Sequence, residues 1–74
     1  MDRHEIQKAI GRSVRRRREA SGESQESFAD QIGMHRTYYS SIERGERNVT
    51  IAVLSRLAKG LEIEMSTILR DASL

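Results

Sequence analysis

The chain has no cysteine and no proline, only three aromatic side chains, and no long apolar run. Without cysteine there is neither a disulfide framework nor a cysteine-based zinc site, which suits a reducing compartment. The two histidines, His4 and His35, stand far apart in sequence and cannot alone make a metal site, so neither metal nor cofactor is expected. The basic N-terminus is followed by no apolar stretch, and no segment approaches the length of a membrane span; neither a signal peptide nor a membrane partner is predicted. The missing proline, short β-branched runs and lack of any sustained period-two alternation point to an all-helical chain. Its 74 residues make one domain, 1–74, with a core worth only a few kcal/mol without help. That favours a partner subunit.

Net charge is only +2, but its sign changes along the chain: residues 1–22 carry +4, 23–34 carry −3, 35–60 carry +3 and 61–74 carry −2. Such alternation implies one basic surface rather than a basic tail. Eleven of the 13 basic residues are arginine, whose planar fork matches phosphate and guanine edges, so the bias favours nucleic acid as a partner.

Apolar spacing predicts five helices. Ile6, Ala9, Ile10 and Val14 recur at helical intervals, giving a first helix over about 4–20 that stops at Gly22. Ser24 is a good N-cap for a second helix with Phe28, Ala29 and Ile32 on one face, ended by Gly33. A third runs from about His35 to Arg44 and stops at Gly45. Thr50 caps a fourth, where Ile51, Leu54, Leu57 and Ala58 make a stripe ending near Gly60 and Leu61. A short last helix over about 65–70 presents Met65, Ile68 and Leu69. Within the first helix, Arg15 to Arg18 occupy four consecutive positions and point most of the way around its axis. At least one must turn inward and needs a partner.

Residues 24–44 therefore form two short helices joined by a glycine-containing turn, the helix-turn-helix arrangement. At 100° per residue, His35, Tyr39, Ile42 and Glu43 fall on one side of the third helix, with Thr37, Ser40, Ser41 and Arg44 opposite and Arg36 and Tyr38 on the flanks. The adjacent tyrosines thus separate: Tyr39 packs under the helix with Ile42, and Tyr38 faces out. A short-chained, hydrogen-bonding outer face with an arginine near its start would let this helix lie deep in a major groove.

The run "SQESFADQIGMHRTYYSSIERGERN" resembles the helix-turn-helix of the Cro and phage-repressor type, the xenobiotic-response-element family. The resemblance is carried by Ser24-Gln25, Phe28-Ala29, Gly33 and Ile42-Glu43-Arg44-Gly45, and it extends from Gly11 to about Leu69. Arg36-Thr37-Tyr38, Arg47-Asn48 and "KGLEI" look most like the small dimeric controller proteins of restriction–modification systems. The fold this implies is a compact, all-α, five-helix phage-repressor-like DNA-binding domain with its helix-turn-helix at about 24–44.

Carried onto matching positions, the resemblance implies base contacts from Arg36, Thr37, Tyr38 and Ser40. It implies phosphate contacts from Gln25, Ser41, Arg44, Arg47 and Asn48, with Gln25 aided by the positive end of its helix. It also implies a structural ion pair, Arg18 with Glu43, which orients the recognition helix and supplies the partner that the arginine run requires. Four positions depart from the pattern. Glu23 and Arg17 stand where apolar residues are usual, and the two could pair with each other; His35 and Glu64 replace the usual helix caps.

Leu54, Leu57, Leu61, Ile63, Met65, Ile68 and Leu69 are many apolar residues for so small a domain. Some fill the core, while Leu61, Ile63, Met65, Ile68 and Leu69 are expected to form an isologous homodimer interface. A dimer sets two recognition helices about one DNA turn apart, roughly 34 Å, and so predicts a near-palindromic operator. The expected function is a sequence-specific transcriptional regulator of double-stranded DNA, located in the cytoplasm with the nucleoid, with a restriction–modification controller as the subgroup. An antitoxin or adaptor that holds another protein on the same fold, or a phage-type repressor, stays open. No nucleophile–base set or metal spacing is present, so neither an enzyme nor a small-molecule ligand is expected.

Overall fold

Asp2, Ser24 and Thr50 each stand in extended backbone just before a helix and turn a side-chain oxygen back to the N–H three residues on, at 2.8, 3.1 and 3.2 Å. These caps satisfy donors that no helical carbonyl can reach, and they set three of five helix starts. In the computed structural model, which describes residues 1–74, α1 spans Arg3–Ala20, α2 Gln25–Gln31, α3 Arg36–Glu43, α4 Ile51–Leu61 and α5 Met65–Asp71. There is no strand. None of the five is long and apolar enough to cross a membrane. His35 and Glu64 precede α3 and α5 without forming a side-chain cap bond. Packing compensates: Tyr39 in α3 and Ile68 in α5 are fully buried.

The core lies where the five helices converge, built on Val14, Phe28, Tyr39, Ile42, Leu57 and Ile68, with α1 crossing α3, α4 and α5. The Phe28 and Tyr39 rings meet at 5.2 Å between centroids, tilted by 57°, and so tie α2 to α3 by an aromatic contact. Ile51, expected in the buried stripe of α4, is 74 % exposed. As the first residue after the cap it stands beyond the edge of the core. At the other end, α4 runs through Gly60 and is turned off by Glu62 in the left-handed region.

Two glycines set how the helices meet. A Cβ on Gly11 would lie 2.5 Å from the carbonyl oxygens of both Ile42 and Glu43, so α1 crosses the end of α3 backbone against backbone. In the turn between α2 and α3, Gly33 has φ +70°, a conformation that costs an L side chain strain.

The arginine run is fully partnered. Arg15 pairs with Glu19 at 3.2 Å on the surface, Arg16 donates to the Asp71 carbonyl at 3.1 Å, and Arg17 donates to the Asp71 carboxylate at 2.8 Å. Arg17 is therefore not paired with Glu23, whose carboxylate faces the Gln31 amide. The reason is that α5 ends against α1, which brings the Asp71 carboxylate to Arg17 and the Asp71 carbonyl, at the negative end of the helix, to Arg16. Ser13 reinforces the same junction, donating at 3.0 Å to the Ile68 carbonyl.

Candidate nucleic-acid interface

What presents α3 to solvent is a buried polar cluster beneath it. The Glu43 carboxylate accepts from Arg18 Nε at 2.6 Å and Arg18 Nη2 at 3.1 Å, from Gln25 Nε2 at 2.8 Å and from the Tyr39 hydroxyl. Arg18 also donates from Nη1 to the Glu23 carbonyl at 2.8 Å, so a single guanidinium joins α1, the turn before α2 and α3. Burial pushes the Glu43 carboxyl up, but the hydrogen bonds from Arg18, Tyr39 and Gln25 outweigh it and hold it below its ordinary value of 4.5. Burial, and then the bond to Glu43, raise the Tyr39 phenol above its ordinary range. Glu43 is thus charged and Tyr39 neutral at physiological pH, and no buried side-chain polar atom lacks a partner.

Above this cluster, α3 presents an open polar ridge. Arg36 and Thr37 are exposed at its start, and with Ser40 and Arg44 they line a shallow hollow of about 280 Å³ with no apolar residue in its wall. Arg36 makes no intramolecular hydrogen bond or ion pair and is free to reach outward.

Ser41 is turned the other way. It is 5 % exposed, donates to the Tyr38 carbonyl at 2.6 Å and accepts from Arg47 Nε at 3.0 Å. Its expected exposure on the outer face is corrected: Ser41 lies beside Tyr38 on the helix, and the chain after α3 folds back over it. Tyr38 is half-buried, and the Arg47 guanidinium lies 5.2 Å from its ring centroid. Tyr38 and Ser41 together hold Arg47, by a cation–π contact and a hydrogen bond, while its two terminal nitrogens make no hydrogen bond within the chain. Asn48 is exposed beside it.

Two other expected contacts are tied within the fold. Gln25 commits one amide hydrogen to Glu43, leaving its carbonyl and second N–H to reach out from the start of α2. Arg44 is gripped by Glu46 through Nε at 3.0 Å and Nη2 at 3.1 Å, and its Nη1 donates to Ser40 Oγ at 2.6 Å.

Three further residues shape this surface. Arg56, on α4, donates to the carbonyls of Ile32 at 2.9 Å and Gly33 at 2.6 Å, capping α2 and bracing the turn. Its sequence distance from that turn leaves no local trace. The Lys8 stem lies over Gly45 and brings an α1 cation beside the loop after α3. Glu46 was readable only as one acid among arginines.

On α4, α5 and the segment between them, Leu61, Ile63 and Leu69 are half-buried and Met65 is 38 % exposed. Ile68 does not belong with them: it is fully buried against α1 and fills the core, because so short a helix turns one apolar residue of its stripe inward. Leu74, 48 % exposed, lies at the end of the same region.

With this geometry the chain matches the Helix-turn-helix family HTH_3 over residues 14–68. It is 51 % identical over 55 residues to control protein C.MunI of a Mycoplasma species, covering 74 % of each chain. Its backbone superposes on the restriction–modification controller protein C.AhdI of Aeromonas hydrophila with a TM-score of 0.86 at 35 % identity, over 92 % of this chain and 99 % of that one. A TM-score of 0.80 at 29 % identity relates it to the controller C.Esp1396I, solved as a tetramer with its natural 35 base-pair operator, over 93 % and 96 % of the two chains.

Proposed function

Since the chain belongs to the helix-turn-helix family HTH_3 and groups there with restriction–modification control proteins, we propose that it is a sequence-specific, double-stranded-DNA-binding transcriptional regulator, the controller of a restriction–modification system. The observation that carries this reading is the unpaired Arg36–Thr37 edge at the start of α3, on the same exposed ridge as Ser40. Arg36 reads a guanine edge and Thr37 a base edge beside it. Arg47, seated on Tyr38 and Ser41, clamps phosphate with Asn48. Tyr38 serves first as the platform for Arg47 and meets the groove with the edge of its ring. Gln25 takes a phosphate at the start of α2 while holding Glu43.

Residues 1–74 act as one DNA-binding domain. Two copies pair through Leu61, Ile63, Met65 and Leu69, setting two α3 helices on successive turns of a near-palindromic operator. The site of action is the cytoplasm, at the nucleoid, and the chain works as a binding protein rather than an enzyme. The test is fluorescence anisotropy with duplex DNA from upstream of its own gene, against a shuffled duplex. Arg36→Ala is expected to cost about 1–3 kcal/mol on the cognate duplex with little change on the shuffled one. Equal losses on both would reject base reading by Arg36.

A further inference from the structure

One feature of the ridge works against DNA binding as such. Between Arg44 and Arg47, in the loop where the chain leaves α3, stands a carboxylate, Glu46. It takes the Arg44 guanidinium by Nε at 3.0 Å and Nη2 at 3.1 Å, two parallel bonds of the kind that same fork makes to a phosphate. The third nitrogen, Nη1, is taken by Ser40 Oγ at 2.6 Å. All three nitrogens of Arg44 are thus engaged, on an arginine that lines the same hollow as Arg36 and Thr37. Arg36, by contrast, is unpaired, and Arg47 keeps both terminal nitrogens free.

We propose that Glu46 is a specificity-determining residue: an internal phosphate mimic that withholds Arg44 from arbitrary DNA and yields it only on a duplex where neighbouring groups of the ridge find their bases. This rests on the reading of the ridge as a DNA surface. The grip suits a latch rather than a lock. Side-chain exposures are 53 % for Arg44 and 55 % for Glu46, so the pair faces water and a close phosphate can displace it. An arginine free in solvent adds the same attraction to every sequence, which raises non-specific affinity without adding discrimination. An arginine already bound to a carboxylate adds it only where the exchange is favourable. Discrimination rises for that reason, and part of the total affinity is given up.

The test is a double-mutant cycle on the full chain with Glu46→Gln, Arg44→Ala and both together, measured by anisotropy on a cognate and a shuffled duplex between 50 and 200 mM salt. Glu46→Gln should tighten binding to the shuffled duplex by roughly three- to tenfold at about 0.1 M salt. It should also steepen the log–log salt slope by about 0.9 per protomer, the signature of one more cation on phosphate. The cognate duplex should gain less, so the specificity ratio falls. In the Arg44→Ala background the same change should give at most a small gain. If Glu46→Gln tightens shuffled binding equally with and without Arg44, the carboxylate acts only through its field and the latch is wrong. If shuffled and cognate binding tighten alike, it is also wrong. Circular dichroism on each variant establishes that it is folded. Should the unmutated protein and every folded variant ignore duplex DNA at low salt, the regulator reading fails and takes this inference with it; wild-type binding with an additive cycle removes this inference alone.

Discussion

Replacing Arg18 with methionine leaves Glu43 beneath the recognition helix without its cation. The two side chains are 10 % and 2 % exposed, and removing one member of a pair so enclosed costs about 3–5 kcal/mol. Tyr39 and Gln25 still donate to the stranded carboxylate, which places the expected loss near the lower end, about 3 kcal/mol. Domains carry roughly 0.05–0.15 kcal/mol of stability per residue, or roughly 4–11 kcal/mol for a chain of this length, so the loss is a large share of the whole. Urea unfolding followed by far-ultraviolet circular dichroism reads it directly; with a slope of about 1 kcal/mol/M the midpoint falls by about 3 M.

The pH dependence carries a sign as well. In the native protein Glu43 lies below its ordinary value of 4.5, so the unfolded chain binds more protons between the two values; its stabilisation is present above 4.5 and is lost as pH falls through the folded value. Without Arg18 the strongest of the bonds that hold the carboxyl down is gone, the folded value rises, and the stability that Glu43 adds above 4.5 should shrink, so the dependence on pH flattens. A second variant separates stability from function. Combining Arg18→Met, Glu43→Leu and Tyr39→Phe removes every charge and stranded hydroxyl, should recover most of the stability, and should still bind operator DNA weakly because α3 has lost its anchor. A loss under about 1 kcal/mol for Arg18→Met, with unchanged pH dependence, would refute the claim that this pair is withdrawn from water.

Gly11→Ala should destabilise the fold, since its Cβ meets two α3 carbonyl oxygens at 2.5 Å; an overpacking cost of about 1–3 kcal/mol lowers the melting temperature by several degrees to about 20 °C, and a melt within a degree of wild type would contradict the backbone contact. Ser41→Ala frees Arg47 Nε without touching an exposed side chain. It should weaken cognate and shuffled DNA binding alike, by about two- to tenfold, the range of one hydrogen bond. A loss confined to the cognate duplex would instead make Ser41 a reader of bases.

Local signals carried much of this architecture. Ser24, Thr50, Gly22 and Gly33 announce their caps and turns through chemistry that acts over three or four residues, and the helices they bound fall within a residue or two of expectation. Tyr39 and Ile42 were legible as buried by their spacing alone. The partners of long side chains were not. Arg17 finds Asp71 across 54 positions and Arg56 finds the Ile32 and Gly33 carbonyls, just past α2, across 24 and 23, and no period in the sequence encodes which helix end lies opposite. Ser41 was misplaced for a related reason: the helical angle sets it on the outer side of α3, but only the path of the following loop decides whether that side is wet or dry at Ser41. Ile68 shows the same limit, since an apolar stripe does not say whether a residue faces its own core or another copy.

These internal partners change what the arginine content means. Eleven arginines suggested an abundance of charge for nucleic acid, yet Arg16, Arg17 and Arg56 bond the ends of α5 and α2, Arg18 is buried, and Arg15 and Arg44 each hold a carboxylate. Beside α3, Arg36 and Arg47 hold no carboxylate, and Lys8 of α1 packs its stem against Gly45. With Arg47 and Lys8 on phosphate and Arg36 on a base, two cations at about 0.9 each predict a log–log salt slope near −1.8 per protomer on shuffled DNA, deepening by about 0.9 on the cognate duplex, where Arg44 is released. The slope is measured by titrating salt into a protein–duplex complex followed by anisotropy. A value beyond about −5 per protomer would mean that the α1 arginines abandon α5 and Glu19 for phosphate, and that these contacts are not what holds the fold.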